Sequence, residues 1–433
     1  MTRANPLSKW WSAPVAPEGL AVFRILFGAV MVAAVVRFAA RGWIGELLVE
    51  PRFHFTYLGF DWVRPWPGWG MHVHFALMGM AALGVMVGYG TRWSAAAFFV
   101  LFTHAELIEA ASYLNHYYFV SIVALLCAVL PVGAAWSLDA RRVGRQPVGA
   151  WSYAVLRAQL ALVYVFAGLA KLNGDWLWRG EPLRTWLAAH ADAPVVGGLL
   201  ALPATALLLS WGGALFDLTI PFWLAWRRTR RWAYAAAVVF HTSVWLLFPI
   251  GVFSWVMLAA ATVFFDPDWP RRLLRRPDTP EVHSSLAPAR WVGALLVLHL
   301  GLQIVIPLRF LAYPGAVNWT EEGFRFAWRV MLVEKTGEVE LLVESDALEQ
   351  PVTIYPRREL TPLQYKMMST EPDMIHQYAL AVAERYGGRA RVHARAYASL
   401  NGRPSQPLID ERIDLAAEPR SLAPKRWIVP LAR

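Results

Sequence analysis

Tyr153-Ala154-Val155-Leu156-Arg157-Ala158-Gln159-Leu160-Ala161-Leu162-Val163-Tyr164-Val165-Phe166-Ala167-Gly168-Leu169-Ala170-Lys171-Leu172 is the stretch on which the fold turns. It has no proline, and its only strongly polar residues are Arg157, Gln159 and Lys171. A helix of about 20 residues rising 1.5 Å per residue crosses the roughly 30 Å of a bilayer's hydrocarbon core. Runs of the same character lie on either side, over 20–40, 72–89, 94–110, 116–134, 197–226, 232–248, 251–265 and 291–312. Of the 433 residues 57% are hydrophobic and only 17% charged, whereas a soluble domain carries about 25% charged residues. The pattern predicts a polytopic α-helical membrane protein with about nine transmembrane helices in residues 1–312. The first run is too long for a secretory signal, and no small-residue cleavage site follows it.

Charge gives the orientation. Arginines gather in three short loops: Arg141, Arg142 and Arg145; Arg227, Arg228, Arg230 and Arg231; Arg271, Arg272, Arg275 and Arg276. These loops follow the fourth, sixth and eighth runs, and cytoplasmic loops collect Lys and Arg. The N-terminus, with Arg3 and Lys9, is then inside, and everything after the ninth run is outside. The net charge of +10 is explained by those loops, so no nucleic acid partner is expected. The single cysteine, Cys127, falls inside a run and excludes an internal disulfide.

From about residue 313 the composition changes. The segments 324–333, 339–344 and 389–400 alternate as strands do. Residues 373–386 repeat apolar side chains at helical spacing and stop at Gly387-Gly388. Asn401-Gly402 is a type I′ hairpin signal and a candidate edge for strand addition by an extended peptide. Residues 313–433 are thus expected to form an extracytoplasmic α+β or β-rich domain that packs over the outer openings of the fourth to seventh spans.

Ionisable residues inside a membrane are functional candidates. Lys171 is the only lysine between Lys9 and Lys335 in a chain that otherwise uses arginine. A desolvated lysine can lose its proton and act as a base, which arginine cannot. The alternative is a helix-end lysine snorkelling to the interface. By the topology above, Asn115, His116, Glu106, Glu109 and His241 lie in the same outer half, with Asp217 deeper. They come from separate spans, and their spacing matches no metal motif, so no metal centre is expected. The aromatic stretches 62–69 and 176–178 read as an interfacial belt or as a wall for a flat lipophilic ligand.

The residues from Trp151 to Gln159 and from Val163 to Trp176 resemble the core of the vitamin K-dependent γ-glutamyl carboxylases and their bacterial relatives. Further similar stretches keep the same order: 22–28, Asn115-His116-Tyr117, 212–218, Phe240-His241, 250–258, Asn318-Trp319-Thr320, 400–403 and 409–414. The resemblance implies an integral membrane enzyme that uses a reduced naphthoquinone (vitamin K or menaquinol), O2 and CO2, with a glutamyl residue of a peptide or protein as acceptor. It implies that Lys171 deprotonates the quinol with help from His116. The oxidised cofactor, on its way to an epoxide, then supplies the strong base. Asn115, His241, Asp217, Arg157, Tyr164 and Trp176 are the expected quinone- or substrate-binding residues. The chain departs from the animal enzymes in three ways: it lacks their C-terminal extension and their paired cysteines, and it has Ala170 where they carry a second lysine. Propeptide-directed multiple carboxylation is therefore not implied.

Overall fold

The computed structural model describes residues 10–276 and 286–432. The N-terminal part is helical: α1 (Glu18–Ala40), α2 (Gly70–Val87), α3 (Thr91–Ile108), α4 (Asn115–Val129), α5 (Trp151–Ala170), α6 (Pro203–Ala225), α7 (Arg230–Leu247), α8 (Phe253–Ala261) and α9 (Arg290–Leu308). Among the described residues five helices are long and apolar enough to cross a membrane: α1, α2, α5, α6 and α9 with its continuation to Ala312. The helices α4 and α8 are apolar but shorter.

Local chemistry sets the helix ends. Gly88, at φ +69°, closes α2 in the left-handed conformation that glycine adopts without penalty. Residues before proline are pushed out of the helical region. Leu130 before Pro131 therefore ends α4 earlier than the run to 134 suggested, and Leu202 before Pro203 starts α6 later than residue 197.

Arg24, fully buried on α1, ties one end of the bundle together. It donates to the carbonyls of Val85 (2.7 Å), Met86 (2.6 Å), Val132 (3.2 Å) and Trp136 (2.6 Å) at the end of α2 and in the chain after α4; of these Val85 alone also accepts a backbone N–H, from Gly88. The Arg-rich loops lie at this same end. Arg145 and Arg271 both reach Glu18, at 2.6 and 3.8 Å, and Arg230 pairs with Asp266 at 2.8 Å. In the middle of the bundle a polar chain fastens α9 to α5 and α4. His299 meets Gln159 at 2.8 Å, Gln159 donates to Gln303 at 3.2 Å, and Gln303 donates to the Tyr118 hydroxyl at 2.9 Å. Each polar group so satisfied avoids the cost of facing hydrocarbon alone.

The C-terminal region holds a four-stranded antiparallel sheet in the order β2-β1-β3-β4, with β1 Lys335–Glu344, β2 Val352–Ile354, β3 Arg391–Leu400 and β4 Gln406–Pro407. The strands β1 and β3 pair along their whole length, from Lys335 opposite Leu400 to Glu344 opposite Arg391. Val339, Leu341, Val343, Val392, Ala394 and Ala396 face inward from this pair. The helix α11 (Pro372–Arg385) packs against them through Ile375, Tyr378 and Val382, and a shorter helix, α10 (Pro362–Met368), precedes it.

Two expectations for this region are corrected. Segment 324–333 is not a strand but an irregular chain, with Phe326, Trp328 and Met331 at positive φ. Its alternating aromatics are buried by tertiary contacts instead: Trp328 stacks on Tyr118, and Phe326 packs against Tyr57, Tyr113 and Tyr118. The Asn401-Gly402 turn does have φ values of +50° and +72°, as type I′ requires. It is not a free edge, however, because Asn401 is wholly buried against the helical region.

That docking gives a first prediction. Arg403 grips Asp175 with both arms, at 2.6 and 2.8 Å, and Asn401 adds a third donor at 3.1 Å. Burial would raise the Asp175 carboxyl, but these hydrogen bonds, with the charges of Arg403 and Arg179, hold it below its ordinary value of 3.8. A depressed carboxyl stabilises the fold above its unfolded value and loses that contribution as pH falls. The unfolding midpoint of the solubilised protein should therefore drop as pH falls below about 4. Asp175→Asn should remove this part of the pH dependence and cost about 1–3 kcal/mol. A variant with the parental midpoint and pH profile would contradict the assignment.

Candidate functional site

The site is built where α5 ends beside α6. Gly168 allows the approach: a β-carbon there would lie 2.8 Å from the backbone nitrogen of Leu218, so any side chain would force the helices apart. Three residues later Lys171 closes α5, and its Nζ donates to Asp217 Oδ2 at 2.8 Å and lies 3.4 Å from the Ala167 carbonyl. Lys171 and Asp217 are only 5% and 6% exposed, so water hardly reaches the pair. Asn173 fixes the turn that follows, donating to Ala170 O (2.9 Å) and accepting from Trp176 N (3.1 Å). This sets the Trp176 ring 5.1 Å from the Lys171 ammonium, in cation–π range, with its indole N–H on Ser210 O at 2.6 Å.

Two helical turns before Lys171, on the same face, Tyr164 meets His241 Nε2 from α7 at 2.8 Å. The other ring nitrogen, Nδ1, is buried and has no hydrogen-bond partner among the described residues. These five side chains face one apolar cavity of about 140 Å³, walled further by Phe240, Phe248 and Phe253 and roofed by Val330 and Met331 from the irregular C-terminal segment.

The remaining candidates lie elsewhere. His116, at the start of α4, packs on the far side of Phe253; that ring is 5.7 Å from His116 and 5.8 Å from His241. Asn115 turns away from the cavity, accepting from Tyr113 and donating to Arg329 O at 3.1 Å. Arg157 is at the opposite end of α5, holding the carbonyls of Val263 (2.8 Å) and Phe265 (3.0 Å). Fourteen helical residues, about 21 Å, separate it from Lys171, so it does not shape this cavity. Glu109 caps a turn, accepting from Ala111 N (2.9 Å) and from Gln364 (2.7 Å). Met331, now part of the cavity wall, had no signal in the sequence beyond being apolar, and Phe253 stood out only as a member of the stretch 250–258. Among the described residues no group of three or more His, Cys, Asp or Glu could hold a metal ion.

Fold and site define a class: a mostly helical membrane protein that carries a buried lysine–carboxylate pair beneath a C-terminal sheet domain. Residues 12–269 match the HTTM domain family, and residues 288–433 match the lumenal domain of vitamin K-dependent gamma-carboxylase. The chain belongs to the vitamin K-dependent gamma-carboxylase family. No solved structure matches it. Family membership implies a carboxylase-like enzyme with a vitamin K cofactor, and the lumenal match implies an extracytoplasmic C-terminal domain.

Proposed function

We propose that the protein is a quinol- and O2-dependent enzyme that deprotonates a reduced naphthoquinone in the Lys171–Asp217 cavity and couples its oxidation to glutamate γ-carboxylation. The observation that carries this reading is the ion pair itself: a lysine and a carboxylate 2.8 Å apart inside an apolar, water-poor cavity. A base must first lose its own proton, and Asp217 stands ready to take it from Nζ. The transfer turns two buried charges into a neutral amine and a neutral acid, a change that low-dielectric surroundings favour. The amine can then accept a proton from a quinol hydroxyl. The aromatic walls and Trp176 suit a flat lipophilic ring, and His241, whose Nε2 meets Tyr164 and whose Nδ1 has no partner among the described residues, would orient it. A reduced naphthoquinone with O2 supplies the strong base that the weakly acidic γ-hydrogen of glutamate demands, because no side chain is basic enough.

His116, packed on the other side of Phe253 from His241, would assist the reaction from outside the Lys171 cavity. His116→Ala should lower turnover by about 10–100-fold, less than loss of the base, since water can replace a hydrogen-bonding helper. Unchanged turnover at matched quinol occupancy would remove His116 from the reaction.

The same reading places the N-terminus in the cytoplasm and the sheet domain outside, periplasmic in a bacterium with two membranes. The Arg-rich loops gathered at the end opposite the sheet support it. About nine helices would cross, with the short α4 and α8 completed by irregular segments sheltered in protein. The division near residue 312 then separates the quinol-binding part from the outer domain. The test is to incubate purified protein with reduced menaquinone or vitamin K, O2, labelled CO2 and a glutamyl peptide, and to assay epoxide and fixed carbon separately. Both products should appear. Epoxide without fixed carbon would leave a quinol epoxidase with another acceptor, and neither product would leave a quinone- or lipid-binding protein.

A further inference from the structure

A second and larger cavity, of about 420 Å³, lies among the ends of α1, α2 and α3 and is roofed by Leu363 and Met367 of α10. Its volume is in the range of small-molecule sites. Its wall is mostly apolar, with Val35, Phe75 and Met78 among the lining, yet it contains Arg37 and Glu106, with the exposed Glu46 as a third charged lining residue. Glu106 has neither a hydrogen bond nor an ion pair among the described residues, and it is not paired with Arg37. The Arg37 guanidinium lies 5.3 Å from the Trp43 ring and has no carboxylate partner among those residues. Both residues are half-buried, and a charge partly withdrawn from water without a partner is disfavoured. A cavity built only for a hydrocarbon chain would carry neither of these two.

The place where an anion would sit is marked by Gly251. The point at which a β-carbon would stand on it is 3.4 Å from Arg37 Nη2 and 3.9 Å from His116 Nε2. His116 is 8% exposed and makes no hydrogen bond among the described residues. The helix α8 begins two residues on, and a helix N-terminus favours negative charge. Arg37 of the cavity wall, the buried His116 imidazole and a helix start thus converge at Gly251, next to the wall residue Val252, with the Glu106 carboxyl in the same wall. The Phe253 ring, which lines the Lys171 cavity, packs on His116 at 5.7 Å and on His241 at 5.8 Å.

We infer that this second cavity receives a glutamyl side chain, with its carboxylate on Arg37 beside His116 and a backbone N–H toward Glu106. The substrate class rests on the function proposed above, whereas the charge pattern is independent of it. A carboxylate held on Arg37 would present the adjoining γ-methylene to the His116–Phe253 wall, facing the quinol cavity, and such positioning is a large part of what a site can contribute. Arg37 is then a substrate-binding residue, and the two cavities divide acceptor from quinol.

The test uses the full-length protein in detergent or nanodiscs and a short labelled peptide with one glutamate between leucines. Equilibrium dialysis should show binding that the same peptide with glutamine in place of glutamate does not compete. Arg37→Gln should weaken binding about 10–100-fold, the loss expected for charge-assisted hydrogen bonds, and Arg37→Lys should restore part of it. Met78→Trp, which fills the cavity without touching either charge, should also block the peptide, and it serves if Arg37→Gln fails to fold. In turnover the peptide KM should rise in both variants while the quinol KM stays within about threefold. Lys171→Arg should keep peptide binding and lose turnover, so failure of the base assignment is distinguishable from failure here. Equal binding of the glutamine peptide, a shift of the quinol KM instead of the peptide KM, or displacement of the peptide by a fatty acid at lower concentration would overturn the proposal.

Discussion

Lys171→Arg is expected to abolish quinol oxidation while leaving the protein folded and inserted. The guanidinium keeps the positive charge and can still pair with Asp217, so the ion pair that joins α5 to α6 survives. A lysine that only snorkelled or only bridged two helices would be replaced without loss. A base would not, because a guanidinium stays protonated at any accessible pH and cannot hand its proton to Asp217. A general base contributes about 10²–10⁴-fold in rate, well above assay error. The measurement is epoxide formation at matched expression and matched quinone occupancy. Near-parental rates would return Lys171 to a structural role.

Arg24→Met should have the largest effect on stability. Its apolar side chain leaves the carbonyls of Met86, Val132 and Trp136 without their donor and that of Val85 with the Gly88 N–H alone. Losing this set of charge-assisted hydrogen bonds should cost on the order of 3–5 kcal/mol in total. The midpoint of unfolding by sodium dodecyl sulfate, followed by tryptophan fluorescence, should fall sharply, and Arg24→Lys should recover only part because one ammonium cannot span the four carbonyls. A midpoint within error of the parent would show that water or lipid headgroups satisfy those carbonyls.

How much was legible in the sequence follows from which forces act locally. Each apolar run announces a helix because the bilayer allows the backbone few other ways to satisfy its hydrogen bonds. The strands and helix of the outer domain were legible through period, as in the inward alternation from Val392 to Leu400. Segment 324–333 was not, because its alternation is real but its positive φ values at Phe326, Trp328 and Met331 come from packing on Tyr57, Tyr113 and Tyr118. At the site, Lys171 stood out as a lone lysine among arginines. Asp217 was read as its most distant companion and proves to touch it, since the register between α5 and α6 is set by the close contact at Gly168. Asn115 follows the opposite course: next to His116 in the chain, it faces Arg329 because neighbouring positions at a helix start point in different directions. Arg157 could have been set aside by spacing alone, and Arg37 was visible only as a charge near the end of the first run.

The most direct test of the central claim, that the quinol is bound in the Lys171–Asp217 cavity, is photo-cross-linking of a photoreactive naphthoquinol analogue to the purified protein, with adducts mapped by mass spectrometry. Adducts should fall on Trp176, Phe248, Phe253 and Met331, the residues that line that cavity, and excess unlabelled menaquinol should suppress them. Suppressible adducts confined to Phe75 and Met78 of the other cavity, with none near Lys171, would contradict the account.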